Sequence, residues 1–333
     1  MTGVIMEEAQ TAAQDFVVGL DVAKAKIDVC LRLPNGKLRS KVLPNSEAGY
    51  KALVPWLAKH GCTRAHACME ATGVYHEGVA EYLCDAGFIV SIVNPAKIKA
   101  YGQATGARSK TDAADAQLIA AFCAVQRPEP WQAPPVSVRI LRALVARRDA
   151  LVELRTQELN RLQVAHDSVR ASIQSVLNLL NEQIDQIEKQ IRQHIDDDPT
   201  LGSQRKLLDS VPGLGDATIP VLLSRFGGPL RFASSKQAVA FTGLDVRRYQ
   251  SGSSVHAKPR LSKRGDSKLR KALYMPAMVS MRLTPWGKAF AKRLTDAGKP
   301  KMVILGALMR KLVEIAYAIL RTGKPFDPAM HST

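Results

Sequence analysis

Phe16-Val17-Val18-Gly19-Leu20-Asp21-Val22, Ile27-Asp28-Val29-Cys30-Leu31-Arg32-Leu33 and Lys37-Leu38-Arg39-Ser40-Lys41-Val42-Leu43 are three β-favouring runs in close succession. Asn35-Gly36 between the second and third is a two-residue hairpin signal, because both positions accept positive φ. The pattern then alternates. Ser46 to His60 reads as a helix with Ser46 as its cap, Arg64–Met69 as a strand and His76–Ala86 as a helix. Phe88–Val93 reads as a strand ending at Asn94-Pro95, and Thr111–Val125 as a helix. Three strands followed by alternating helices and strands predict an α/β domain with a mixed central sheet over residues 16–126.

Outside that domain the composition changes. Residues 1–15 are polar and acidic, read as a tail without a signal peptide. Arg127-Pro128-Glu129-Pro130-Trp131 and Pro134-Pro135 mark a linker, and Val138 to Ile195 is then helical with little Gly or Pro. Ile173, Leu177, Leu180, Ile184, Ile187 and Ile191 follow alternating spacings of four and three, a heptad seam. Residues 127–200 are therefore expected to form a linker and coiled coil, either an antiparallel hairpin packed on itself or a surface for self-association. Residues 201–333 form a third, mostly α region. Its Pro212-Gly213-Leu214-Gly215 turn lies between Leu207–Val211 and Ala217–Phe226 and suggests a helix-hairpin-helix element. Gly213 and Gly215 there could expose backbone N–H groups to a phosphate.

Charge separates these regions. Residues 1–200 hold 23 Lys+Arg against 23 Asp+Glu, whereas residues 201–333 hold 24 against 7 and carry the whole excess of +17. A field of that sign attracts a polyphosphate such as nucleic acid. The chain of 333 residues is 46% hydrophobic, has no apolar run of membrane-spanning length, and carries five cysteines without C-x-x-C spacing. These features fit a reduced, cytoplasmic protein with a real core, no zinc site and no membrane partner.

Four acids in the first domain are placed for chemistry. Asp21 and Glu70 each close an apolar β-favouring run, so each lies at or near a strand end. Asp112 and Asp115 are three apart at a helix start and so share a face. Carboxylates aimed at one point repel unless a cation neutralises them, and hard oxygen donors of this kind suit Mg²⁺, with Mn²⁺ able to substitute. In the basic region, Arg247, Arg248, Lys258, Arg260, Lys263, Arg264, Lys268, Arg270 and Lys271 surround one acid, Asp266. The polar stretch about Ser251-Gly252 reads as a loop. A serine there among cations could attack a phosphodiester, and Tyr249 is an equal candidate nucleophile.

The chain resembles the DEDD-type insertion-sequence transposases related to the pilin-gene invertases, also called bridge-RNA-guided recombinases. The resemblance runs through Gly19-Leu20-Asp21-Val22-Ala23-Lys24, Met69-Glu70-Ala71-Thr72-Gly73, Asn94-Pro95 and Lys110-Thr111-Asp112-Ala113-Ala114-Asp115-Ala116. It continues through Val211-Pro212-Gly213-Leu214-Gly215, Phe241-Thr242-Gly243-Leu244, Gln250-Ser251-Gly252 and Ser262-Lys263-Arg264-Gly265-Asp266. The family often reads Gly-Leu-x-Pro before its serine, where Asp245 and Val246 follow Gly243-Leu244 here.

The resemblance implies a RuvC, ribonuclease H-like N-terminal domain whose acidic tetrad Asp21, Glu70, Asp112 and Asp115 binds Mg²⁺. It implies Ser251 as the nucleophile, leaving a covalent phosphoserine link to DNA. It also implies donor and target DNA as partners, a structured guide (bridge) RNA, and a homotetramer in which the acidic site of one subunit is completed by the serine of another. Such a protein would work at the nucleoid. Three other readings compete on sequence grounds. One is a RuvC-like Mg²⁺-dependent nuclease or junction resolvase using water, and another is a non-catalytic nucleic-acid-binding protein. The third is a sugar kinase-like fold, which lacks convincing phosphate loops in residues 1–126.

Overall fold

The computed structural model describes residues 16–71, 73, 75–106, 111–226, 232–251 and 255–331, with backbone alone at 248–251, 255–258, 330 and 331. The chain divides into two compact units, Met1–Ala133 and Pro134–Thr333.

The first unit is a five-stranded mixed sheet covered on both faces. Strands β1 (Val17–Val22), β2 (Lys26–Arg32) and β3 (Leu38–Pro44) form an antiparallel meander, and β4 (His66–Glu70) and β5 (Ile89–Val93) add in parallel beside β1, giving the order β3-β2-β1-β4-β5. Alternation along the strands sorts the side chains into two layers. Val18, Leu20 and Val22 of β1 pack with Ile27, Val29, Ala67 and Met69 under helices α1 (Glu47–Lys59) and α2 (Glu77–Asp85). Val17, Cys30, Cys68 and Val93 point the other way, toward α3 (Pro95–Ala104) and α4 (Asp112–Gln126).

Helix α3 is an element that the sequence reading passed over. Asn94-Pro95, which in sequence marks the end of β5, also starts a helix. Pro95 occupies the first turn, where its missing N–H is not needed, and the Asn94 side chain accepts from Ala96 N at 2.9 Å.

The second unit is mostly helical. Helices α5 (Val136–Val164) and α6 (Asp167–Asp197) are an antiparallel pair joined at Ala165-His166. The antiparallel register places His194 on the Ser137 carbonyl and Arg155 beside Asn181. The heptad residues are spent inside this hairpin. Leu180 and Ile184 pack on Leu151, and Ile191 enters the core with Leu141 and Val145. Packing on itself is one of the two uses the seam allows, and it buries Leu177, Leu180, Ile184 and Ile191. Helices α7 (Pro199–Asp209), α8 (Ile219–Phe226), α9 (Ser235–Thr242), α10 (Ser267–Leu283), α11 (Pro285–Asp296) and α12 (Lys301–Thr322) complete the core around Leu312 and Ala316. Between α9 and α10 a two-stranded antiparallel ribbon, β6 (Val246–Ser251) and β7 (Val255–Leu261), replaces the loop expected about Ser251. No helix among the described residues is long and apolar enough to cross a membrane.

Candidate active site

The site begins with a missing side chain. A Cβ on Gly19 would lie 2.2 Å from the Ala116 carbonyl oxygen and 2.4 Å from Ala120 N, so only glycine lets α4 lie this close across β1. Two residues farther along β1, about 6.6 Å on, the next side chain on that face is Asp21. Four residues toward the start of α4 from Ala116, about 6 Å back, is Asp112. Close packing therefore delivers Asp21 to the first turn of α4. Oxygens of Asp21, Asp112 and Asp115 lie within 4.8 Å of one another. The turn itself is fixed by Thr111, whose hydroxyl accepts from Ala114 N at 3.2 Å.

Glu70 follows Met69, which pairs with Leu20 in the parallel ladder, so the Glu70 and Asp21 backbones lie side by side. Glu70 stands outside the close trio but within its field. Burial first, then the Asp21 and Asp115 charges, push its carboxyl above the ordinary range. Asp21 is raised by burial and then by Asp115, Asp112 and Asp28. Asp112 goes the other way, because Lys26 donates to it and holds its carboxyl below the usual range. Hard oxygen donors brought this close and short of positive charge fit a divalent ion such as Mg²⁺.

Two residues here escaped the sequence reading. Lys26 Nζ lies 2.6 Å from Asp112 and 3.0 Å from Asp28, which is buried. Asp28 is the register partner of Asp21 on β2. The signal was available: Lys26 and Asp28 are charged, two apart and on one face of a strand that is otherwise apolar up to Leu31.

The second unit holds the other chosen residues. Ser251 is the last residue of β6 and pairs with Val255, so it sits at the tip of the ribbon; Gly252, Ser253 and Ser254 lie outside the described residues. Arg247 and Arg260 are exposed and directly opposite one another, a like-charge pair that an anion would relieve. Lys263, Arg264, Lys268 and Lys271 are exposed, while the side chains of Arg248 and Lys258 lie outside the described residues.

Other motif residues hold the fold. Arg270 donates to the Thr242 and Gly265 carbonyls. Asp266 caps α10 through Lys268 N and Leu269 N and pairs with Arg225 at 3.0 Å. Gly213 has φ +105°, and a Cβ there would meet Ser280 Oγ at 2.5 Å, so its α-carbon is packed against α10. Gly215 has open space at its Cβ position.

Residues 18–169 match the profile of the DEDD transposases of the IS110 type, and residues 205–292 match that described as the transposase IS116/IS110/IS902 family. The chain is 34% identical over 317 residues to the pilin gene-inverting protein of Moraxella bovis, covering 94% of this chain and 98% of that one. The chain belongs to the IS110-type transposases. This transposase is also 33% identical over 156 residues to the transposase for insertion sequence element IS1328 of Yersinia enterocolitica, covering 44% of each chain. Among solved structures, Thermus thermophilus RuvC aligns at 16% identity and a TM-score of 0.27, over 35% of this transposase and 99% of that chain. The first family profile spans all four carboxylates and the second spans Ser251.

Proposed function

We propose that this IS110-type transposase cuts and rejoins DNA by attack of Ser251, with Asp21, Glu70, Asp112 and Asp115 holding Mg²⁺. The observation that carries this reading is the convergence of Asp21, Asp112 and Asp115 within 4.8 Å on the face where α4 crosses β1. The sheet order and directions support a RuvC, ribonuclease H-like assignment for the first unit. When bound, the divalent ion supplies Lewis-acid stabilisation of charge on a phosphate oxygen. The chain's own part is to hold the donors still. Asp21 and Glu70 are set by adjacent strand ends, and Asp112 and Asp115 by one capped helical turn.

In the covalent step the Ser251 Oγ–P bond forms as the P–O bond to the departing sugar oxygen breaks. The hydroxyl proton leaves to solvent and the sugar oxygen takes one up. One phosphoester replaces another without oxidation or reduction, so reversal on a new strand end rejoins DNA with no external energy source. Exposed bases on and beside the ribbon supply positive charge along its length, the opposed Arg247 and Arg260 lying toward the end away from Ser251.

The reading extends to a tetramer in which one copy's Ser251 meets another's acidic site, and to a structured guide RNA that selects both DNAs by base pairing. Because the heptad seam is used within the chain, copies would meet through other faces. Exposed Leu159, Val164, Val176 and Leu179 on the hairpin are available.

One observation favours the water-using nuclease as a second reading: all four carboxylates lie in the first unit, so that site needs no residue of the second. Labelled DNA incubated with Mg²⁺ and run on a denaturing gel separates the two. The serine reading expects an adduct that maps to Ser251, disappears in Ser251→Ala and persists in Tyr249→Phe, Ser253→Ala and Ser254→Ala. The loss of recombination in Ser251→Ala should be on the order of 10⁴-fold or more. An adduct on Tyr249, or cleavage without any adduct, would refute it.

A further inference from the structure

We infer that Lys26 is a tethered cation that competes with the divalent ion for Asp112 and so sets how readily the acidic site fills. The inference rests on the metal-site reading above. Lys26, Asp28, Asp21 and Glu70 alternate onto the same sheet face, the one that α4 covers. Asp28 is buried, and a buried carboxylate needs a partner of opposite charge. Its partner is the Lys26 ammonium at 3.0 Å. That contact anchors the ammonium to β2. The same nitrogen nevertheless reaches 2.6 Å from Asp112, a member of the converging trio.

A lysine serving Asp28 alone would have no need to reach the helix. A lysine serving only to join helix and sheet would have no need of a buried carboxylate beneath it. Holding both places a unit positive charge on a carboxylate that an arriving ion must take. Filling the site requires Asp112 to exchange an ammonium for the ion, while Asp28 retains Lys26 nearby. The tether also steadies the first turn of α4 before any ion arrives. Repulsion between Lys26 and the ion then acts across solvent-exposed space, since the Lys26 side chain is 43% accessible. A unit charge a few ångströms from a divalent ion in water is worth roughly a thirtyfold change in binding constant, which salt screening reduces to about three- to tenfold.

The test is Mn²⁺ binding by the full chain, read as free Mn²⁺ by electron paramagnetic resonance at fixed pH and ionic strength, with circular dichroism to confirm folding. Lys26→Met is expected to bind Mn²⁺ about three- to tenfold more tightly than wild type. Lys26→Gln, which keeps a donor for Asp28 and so protects the fold if the methionine variant does not form, is expected to tighten binding by a similar factor. Lys26→Arg keeps the charge and should bind as wild type does. Wild-type or weaker affinity in folded Lys26→Met or Lys26→Gln would overturn the inference while leaving the metal site intact. Wild-type binding no stronger than that of Asp21→Asn would overturn both.

Discussion

The acidic cluster of the first unit and the basic ribbon of the second each gather charge of one sign, but by opposite structural means. The carboxylates are forced together by apolar packing. Gly19 lets α4 settle on β1, and burial and mutual repulsion raise Asp21 and Glu70. The bases are spread over a two-stranded ribbon and the start of α10, exposed and separated. A crowded, half-buried cluster of like charge marks a place for one compact counter-ion. A dispersed, exposed set of like charge marks a place for an extended one. The first should fail abruptly when one residue changes, the second gradually.

The largest expected effect breaks the first half of that contrast. Asp21→Asn and Asp115→Asn should each lower recombination by at least about 100-fold, because several kcal/mol of charge stabilisation depend on a complete ligand set. Both should bind DNA with wild-type affinity in a filter-binding assay, since neither lies in the basic region. Wild-type recombination in both would end the metal-site reading. Loss of DNA affinity equal to the loss of activity would place the acids in the binding surface instead.

Much of the acidic site was legible because its signals are local and periodic. Asp21 and Glu70 stand where apolar runs end, and strand alternation then fixes the face they share with Cys68 and Cys30. Lys26 and Asp28 were harder to see, since their meaning depends on the register that sets Asp28 opposite Asp21. The stretch about Ser251-Gly252 reads as a loop because Gln250 to Ser254 is polar and offers no apolar alternation. Its pairing is backbone hydrogen bonding, which side-chain pattern does not report. In the motif Ser262-Lys263-Arg264-Gly265-Asp266, Asp266 caps a helix and Ser262 donates to Asp245, roles that depend on the fold around them. Gly213 shows the same limit, because only tertiary packing reveals that Ser280 occupies the space beside it.

A smaller effect sharpens the second half of the contrast. DNA affinity should fall with salt, with a slope of log affinity against log salt on the order of −0.9 per phosphate contact on duplex DNA. Arg247→Ala and Arg260→Ala should each reduce that slope by about one and weaken binding to all sequences alike. Mn²⁺ binding should be untouched in both. A salt-independent affinity, or a slope unchanged in the double variant, would remove the ribbon from the interface.

The smallest effect concerns stability, and here the carboxylates divide among themselves. Asp21 is raised in the folded chain, so the fold binds that proton more tightly than the unfolded chain does. Metal-free stability must then fall as pH rises from about 4 through the raised value. At neutral pH the ionised Asp21 is a liability, and Asp21→Asn should raise Tm in EDTA; partial solvent screening keeps the gain to about 2–4 °C. Asp112 is lowered by Lys26, so its charge contributes stability that is present above the unfolded value and lost as pH falls through the folded one. It also sits at a helix N-terminus, where negative charge is favoured. Asp112→Asn should therefore lower Tm slightly, by no more than about 2 °C for so exposed a pair. The two substitutions remove the same charge from the same cluster, and both should abolish activity, yet their Tm shifts in EDTA at pH 7 should have opposite signs. Differential scanning calorimetry on the full chain reads this directly. Equal shifts of one sign would mean that Lys26 does not hold Asp112 in solution, and that the acids act as an undivided cluster.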